Sequence, residues 1–432
     1  MLTSVGVYML LKLRFFFILH PIKTVKKIKS TVKDRGSVTS LALALAGTLG
    51  IGNIFGVSLG IIIGGPGSVF WMLVSTVFAS VIKYSEIVIS TDGVASEGHE
   101  GSVFRSLPSN LGRVGVLLSI TYALACLFLS FSMGVGLQVG AVSEAICTLF
   151  NTPPIVIGLL ALLIILFSVK EGVGKIEKIT ALAIPLTTSL YIFIASCSIA
   201  VSSDRIGYAI GLIMKDAIRP RSAVGGIFGF VFSRAVLEGY TRGILSNEAG
   251  TGTSSMAHSR SRVKDPSSLG LMGIVEVFFD TVLLCMLTAL TILTSPTDYS
   301  SYTSGMTLVL DAVSMTLGRW AGVGVVFSSI IFAYATVVCW YYYGSQCATF
   351  LFGKLGRLVF LPLYLFAIVI TPFIDNRMIV AATDIFILIM TSITLLLIIK
   401  KSDRILLLSE RGGVVPRSLI KGILSRRGEK DR

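Results

Sequence analysis

The stretch from Ser37 to Gly67 constrains this chain more than any other, because it is apolar enough for a bilayer yet interrupted at its centre. At about 1.5 Å per residue it is long enough to cross the roughly 30 Å hydrocarbon core. Its middle reads Ala46-Gly47-Thr48-Leu49-Gly50-Ile51-Gly52-Asn53, with three glycines, a threonine and an asparagine. Such a helix breaks halfway. Broken backbone at membrane depth leaves amide and carbonyl groups unpaired at several kcal/mol each, so it persists only where protein, water, ions or substrate meet those groups. That is how a binding site at the membrane midplane looks in sequence. Beyond the break, Gly52, Gly56, Gly60 and Gly64 recur every four residues. They form a smooth ridge that lets a neighbouring helix approach closely.

Composition agrees. Of 432 residues, 53% are hydrophobic and only 14% charged, where a soluble globule carries nearer a quarter charged. The chain reads as an all-α polytopic membrane protein. Its net charge of +14 does not indicate nucleic acid, since the basic residues gather in Lys23 to Arg35 and Lys400 to Arg432, both flanking apolar spans. Cytoplasmic loops held by the positive-inside bias and by anionic lipid of the bilayer explain them better. Cys126, Cys147, Cys197, Cys285, Cys339 and Cys347 lie in apolar segments without Cys-x-x-Cys spacing, and His20, His99 and His258 are far apart. Neither a disulfide framework nor a metal centre is indicated. No His-Glu-x-x-His, Gly-x-Ser-x-Gly or ATP-binding Gly-x-x-x-x-Gly-Lys-Ser/Thr occurs, so an enzyme or a primary pump is disfavoured and no cofactor is expected.

A window of about 19 residues, cut at Pro, Gly and charge clusters, gives eleven candidate spans. They fall near 2–19, 38–64, 68–90, 114–149, 154–169, 176–201, 223–243, 267–294, 320–352, 356–373 and 377–400. The first is marginal, for Lys12 and Arg14 interrupt it. It either spans or lies on the membrane surface; if it spans, the N-terminus is outside and the C-terminus inside, which loop charge supports except at Ser202 to Ser222, a basic stretch whose apolar spacing suggests an amphipathic surface helix. Spans two to six and seven to eleven make two groups of five, so a second group folded like the first sits upside down. Each group opens on its most glycine-interrupted helix: Gly47, Gly50 and Gly52 in one, Gly225, Gly226 and Gly229 in the other. Broken helices at matching places in inverted halves mark a transporter's site. The divisions are 1–37 (N-terminal helix and basic loop), 38–201 (first repeat), 202–400 (second repeat) and 401–432 (basic tail).

Gly47-Thr48-Leu49-Gly50-Ile51-Gly52-Asn53-Ile54, Gly64-Gly65-Pro66-Gly67-Ser68-Val69-Phe70-Trp71-Met72 and Lys83-Tyr84-Ser85-Glu86 resemble the alanine or glycine:cation symporter family of sodium:alanine type. So do Arg242-Gly243-Ile244-Leu245-Ser246-Asn247-Glu248-Ala249-Gly250, Phe279-Asp280-Thr281, and Phe332-Ala333-Tyr334 through Trp340-Tyr341-Tyr342-Tyr343-Gly344, in the family's order. The resemblance implies a sodium- or proton-coupled importer of small neutral amino acids in the cell membrane. It also implies the leucine-transporter-type fold of five plus five helices behind one extra N-terminal helix, about eleven in all. Two departures stand out: Ile51 and Ala335 lack the hydroxyls that family members usually carry there.

For a zwitterion, free N–H groups at the broken helix suit the carboxylate, placed near Ile51 and Gly52. Gln138, amid Gly134, Gly136 and Gly140, takes the ammonium by resemblance to the family; the alternative is an interhelical hydrogen bond with no ligand. By resemblance to the leucine-transporter fold, sodium sits among the carbonyls of Ala46, Leu49 and Phe332 and the hydroxyl of Thr336. No carboxylate is required there, which favours sodium over a proton relay; a proton-coupled symporter or a non-transporting sensor remains the alternative. Thr336 and Trp340, one turn apart, share a face on which Trp340 limits side-chain size, and Phe228 and Phe232 close the pocket or simply pack. Lys83 with Glu86, and Arg234 with Glu238, have spacings for pairing on one helix face. Glu276 and Asp280 are either proton-coupling carboxylates or part of a network with Ser246, Asn247 and Glu248. The oligomeric state is open.

Overall fold

A computed structural model describes residues 1–32, 41, 44–92, 102–170, 173–218, 234–259, 263 and 265–416. Among them every regular element is helical. In chain order they are α1 (Leu2–Lys12), α2 (Pro21–Val32), α3 (Phe55–Gly64), α4 (Gly67–Thr91), α5 (Val103–Phe150), α6 (Pro154–Lys170), α7 (Val173–Val201) and α8 (Ile206–Ile218). There follow α9 (Arg234–Asn247), α10 (Thr253–His258), α11 (Pro266–Thr294), α12 (Gly305–Leu317), α13 (Arg319–Ile370), α14 (Asn376–Lys400) and α15 (Ser402–Arg411). Six helices of the described residues are long and apolar enough to cross a membrane, and shorter apolar ones join them. With no water to pair backbone groups in a bilayer core, helices are the form such a sequence takes.

The helices pack as two groups. α3, α4, α9 and α11 pack on one another, and α5, α6 and α13 do the same, with α14 against α5 and α7 against α13. The glycine ridge explains the approach of α3 to α9. A Cβ on Gly52, Gly56, Gly60 or Gly64 would meet Ser246, Leu245, Arg242 or Glu238, all residues of α9. The neighbour expected from the four-residue spacing is therefore α9, which carries the Arg242 to Asn247 motif.

Three long helices are irregular. α13 is kinked at Gly353 (φ 61°), which separates the expected spans 320–352 and 356–373. α5 and α11 each widen into a π-helical stretch, Ser130–Leu137 and Phe278–Cys285, a form that often accompanies functional sites.

The N-terminal segment differs from expectation. The continuous span 2–19 is replaced by α1, eleven residues long, and a short turn Phe16–Leu19, parted by Arg14 and Phe15 in left-handed conformations. At this break the Lys12 ammonium reaches Ser402 (2.7 Å) and Asp403 (2.8 Å) at the start of α15. α12 is also new. It is short, yet buries Met306, Leu308, Val309 and Leu310 between the expected spans 267–294 and 320–352. The surface helix expected at Ser202 to Ser222 is present as α8, and its Asp216 accepts from the Gly67 N–H (2.9 Å) at the start of α4.

Candidate functional site

The first glycine-rich rod is interrupted where the sequence places the break. Residues 44–48 are helical, Gly50 is extended (φ −111°, ψ −159°), Ile51–Asn53 form one 3-10 turn, and α3 restarts at Phe55. The corresponding glycines of the second half, Gly225, Gly226 and Gly229, and the candidate wall residues Phe228 and Phe232, lie outside the described residues.

Side chains from three other helices meet the liberated backbone. Gln138 Oε1 on α5 accepts from the Ile51 N–H at 2.9 Å, and Gln138 Nε2 donates to Met133 O at 3.3 Å. The Thr336 hydroxyl on α13 donates to the Ala46 carbonyl at 3.0 Å, and Thr288 on α11 donates to the Asn53 carbonyl at 2.9 Å. Each bond replaces one that a continuous helix would have made within itself, which is what burial demands. Gly50 is the focus. A Cβ there would stand 2.8 Å from both Gln138 Oε1 and Thr336 Oγ1, so a larger residue has to push both side-chain ends aside.

The other candidate residues gather close by. Ala46, Leu49, Ile51, Phe332 and Trp340 are buried, with Phe332 and Trp340 each one turn from Thr336. Gly52 faces the Ser246 backbone of α9. Trp340 packs edge-on against Tyr343 (5.6 Å) and donates from Nε1 to Glu248 Oε1 at 3.2 Å.

Behind Gly52 lies a polar cluster. Ser246 Oγ sits 2.6 Å from Asn53 Oδ1 and 2.7 Å from Asp280 Oδ2, while Thr281 donates to Asp280 and Asn247 Nδ2 donates to Thr281. Asp280 is thus tied to Ser246 and Asn247, and Glu276 accepts from Ser254 and meets His258 Nε2.

Of the two pairings read from helix spacing, Lys83 with Glu86 is present and Arg234 with Glu238 changes. Lys83 lies 4.0 Å from Glu86 but 2.9 Å from the Asn247 carbonyl and 3.6 Å from Glu276; Glu86 Oε2 instead accepts from the N–H groups of Gly250 and Gly252. Glu238 is paired with Arg242 (2.9 Å), where the spacing had suggested Arg234, and Arg242 also bridges to Asp384 of α14 (3.1 Å). At Lys83 the partners on other helices are nearer than the same-face carboxylate, whereas Glu238 keeps a partner on its own helix face, Arg242. Asp384 was missed. A lone carboxylate in an apolar span is the signal that would have found it.

The fold defines the class. Over 84% of this chain and 88% of the other, the structure is similar to the crystal structure of MhsT in complex with L-phenylalanine, at a TM-score of 0.60 and 15% identity. That is the leucine-transporter-type fold. The sequence narrows the class to a family. Residues 1–407 match the sodium:alanine symporter family, and the chain belongs to it. It is 28% identical over 389 residues (86% of this chain, 83% of the relative) to the sodium/alanine symporter AgcS of Methanococcus maripaludis. It is also 28% identical over 398 residues (89% and 86%) to an uncharacterized transporter of Haemophilus influenzae.

Proposed function

We propose that this multi-pass membrane protein couples an inward sodium gradient to the uptake of a small neutral amino acid, alanine or glycine, by alternating access. The observation that carries the proposal is the convergence of Gln138 and Thr336, from two separate helices, on the unwound backbone at Gly50. A substrate carboxylate is a stronger acceptor than an amide oxygen, so it takes over the Ile51 N–H, with the Gly52 N–H beside it. The Gln138 oxygen it displaces then accepts from the ammonium. One residue serves both ends of the zwitterion in turn.

Sodium takes oxygens of low formal charge. Ala46 O and Thr336 Oγ1, 3.0 Å apart, can share one cation once the hydroxyl proton rotates away, with the carbonyls of Leu49 and Phe332 completing the set. Trp340 walls the pocket, with Phe228 and Phe232 opposite. Under this reading the basic segments face the cytoplasm and the N-terminus lies outside.

The test is uptake of labelled alanine and glycine into liposomes under a sodium gradient, a proton gradient or neither. Saturable uptake driven by sodium alone is expected. Binding without uptake would make the protein a sensor, and uptake driven by protons alone would move the coupling to a carboxylate.

A further inference from the structure

Trp340 lies one turn from Thr336 on α13, and Gly134 lies one turn from Gln138 on α5. These two positions touch: a Cβ on Gly134 would stand 2.5 Å from Trp340 Cβ. The indole therefore forms the layer next to the meeting point of Gly50, Gln138 and Thr336. An indole has few torsions and one polar handle, so whatever accepts from Nε1 decides how the ring lies.

That acceptor is Glu248, in the turn between α9 and α10, and two features single it out. Both of its carboxylate oxygens are used: Oε1 accepts from Trp340 (3.2 Å) and Oε2 from the Thr253 hydroxyl (2.6 Å). Its backbone is left-handed (φ 53°), a conformation that costs a residue with a Cβ about 1–2 kcal/mol and is kept only where the surroundings demand it. Packing alone asks for neither a buried carboxylate nor that conformation at a non-glycine residue.

We propose that Glu248 is a positioning residue for substrate selection. Held by Thr253, it fixes the Trp340 indole across the pocket and so sets the largest side chain the site admits. This rests on reading Trp340 as the pocket wall. Glu248 touches no substrate; it acts through the indole.

The experiment measures inhibition of labelled alanine uptake by unlabelled alanine and leucine in liposomes holding the full chain. Glu248→Ala and Trp340→Phe are each expected to lower the leucine-to-alanine ratio of inhibitory concentrations by about tenfold, the lower end of what one methylene is worth in an apolar pocket. The double variant should fall no further than the lower single, since the bond is already lost. Glu248→Gln, which keeps an acceptor oxygen, should retain the starting ratio. If Glu248→Ala does not fold, Thr253→Val loosens the same carboxylate and should shift the ratio the same way. Uptake slowed with an unchanged ratio in Glu248→Ala and Thr253→Val, additive single variants, or Glu248→Gln behaving like Glu248→Ala would each overturn the proposal. Trp340→Ala separates the two readings. A ratio moved by Trp340→Ala but not by Glu248→Ala removes only the positioning role, whereas a ratio moved by neither removes Trp340 from the wall.

Discussion

The hydroxyl of Thr336 donates to the carbonyl oxygen of Ala46 at 3.0 Å, joining the middle of α13 to the last helical turn before the break. The two residues are 290 positions apart in the chain, and the bond ties one helix group to the other at the level of the candidate site. Removing the hydroxyl at nearly constant shape isolates its contribution. Thr336→Val should abolish sodium stimulation of alanine uptake while lowering stability by only about 1 kcal/mol, the net worth of one neutral hydrogen bond. Sodium titration of uptake and a thermal melt check both halves, and unchanged sodium dependence would take Thr336 out of the ion site.

Gly50 tests the convergence itself. A methyl group at 2.8 Å from both Gln138 Oε1 and Thr336 Oγ1 forces the two apart. Gly50→Ala should reduce alanine uptake at least about tenfold, equivalent to roughly 1.4 kcal/mol. The protein should remain monodisperse by size-exclusion chromatography, because the displaced atoms are side-chain ends.

Along the ridge, the spacing of contacts ranks the glycines. At Gly56 a Cβ would meet Leu245 at 3.6 Å, an ordinary contact, whereas at Gly64 it would meet Glu238 Cβ at 2.8 Å and Ser68 Cβ at 3.1 Å. Gly56→Ala should therefore be close to neutral in a thermal melt. Gly64→Leu should destabilise by about 1–3 kcal/mol through overpacking.

This ridge and the break beside it were legible in the sequence because both follow from what the backbone lacks. Glycines every four residues leave a groove whatever packs there, and a Gly-Thr-Leu-Gly-Ile-Gly-Asn run weakens a helix in any context. The expected boundary between 352 and 356 was read the same way, and Gly353 is where α13 kinks. Resemblance to the family, not spacing, puts Gln138 and the Thr336 hydroxyl near the break, and the bond that Gln138 makes to the Ile51 N–H is what the structure adds. What escaped were pairings decided by which helices meet. Spacing allows Glu238 either Arg234 or Arg242 on its own helix, and only the inter-helix contact of Arg242 with Asp384 shows which one is held there. Glu248 stood in a quoted motif with no sign that Trp340, 92 residues on, would donate to it. The contact of Lys12 with Asp403 likewise joins parts of the chain far apart in sequence.

The Arg242 bridge gives an asymmetric prediction. Arg242 is 4% exposed while Glu238 and Asp384 are 19% and 30% exposed. Asp384→Ala strands part of a buried guanidinium and should cost about 1–3 kcal/mol in a thermal melt. Arg242→Met leaves two carboxylates that water can reach and should cost less. The reverse order would mean that the carboxylates, not the arginine, are the poorly solvated partners.

The most direct test of the central claim is calorimetric titration of the purified protein with alanine at increasing sodium, and with sodium at increasing alanine. If one unwound segment holds both, sodium should tighten alanine binding by about tenfold or more, alanine should tighten sodium binding by the same factor, and Gly50→Ala should remove the coupling. Alanine affinity that does not change with sodium would contradict the account.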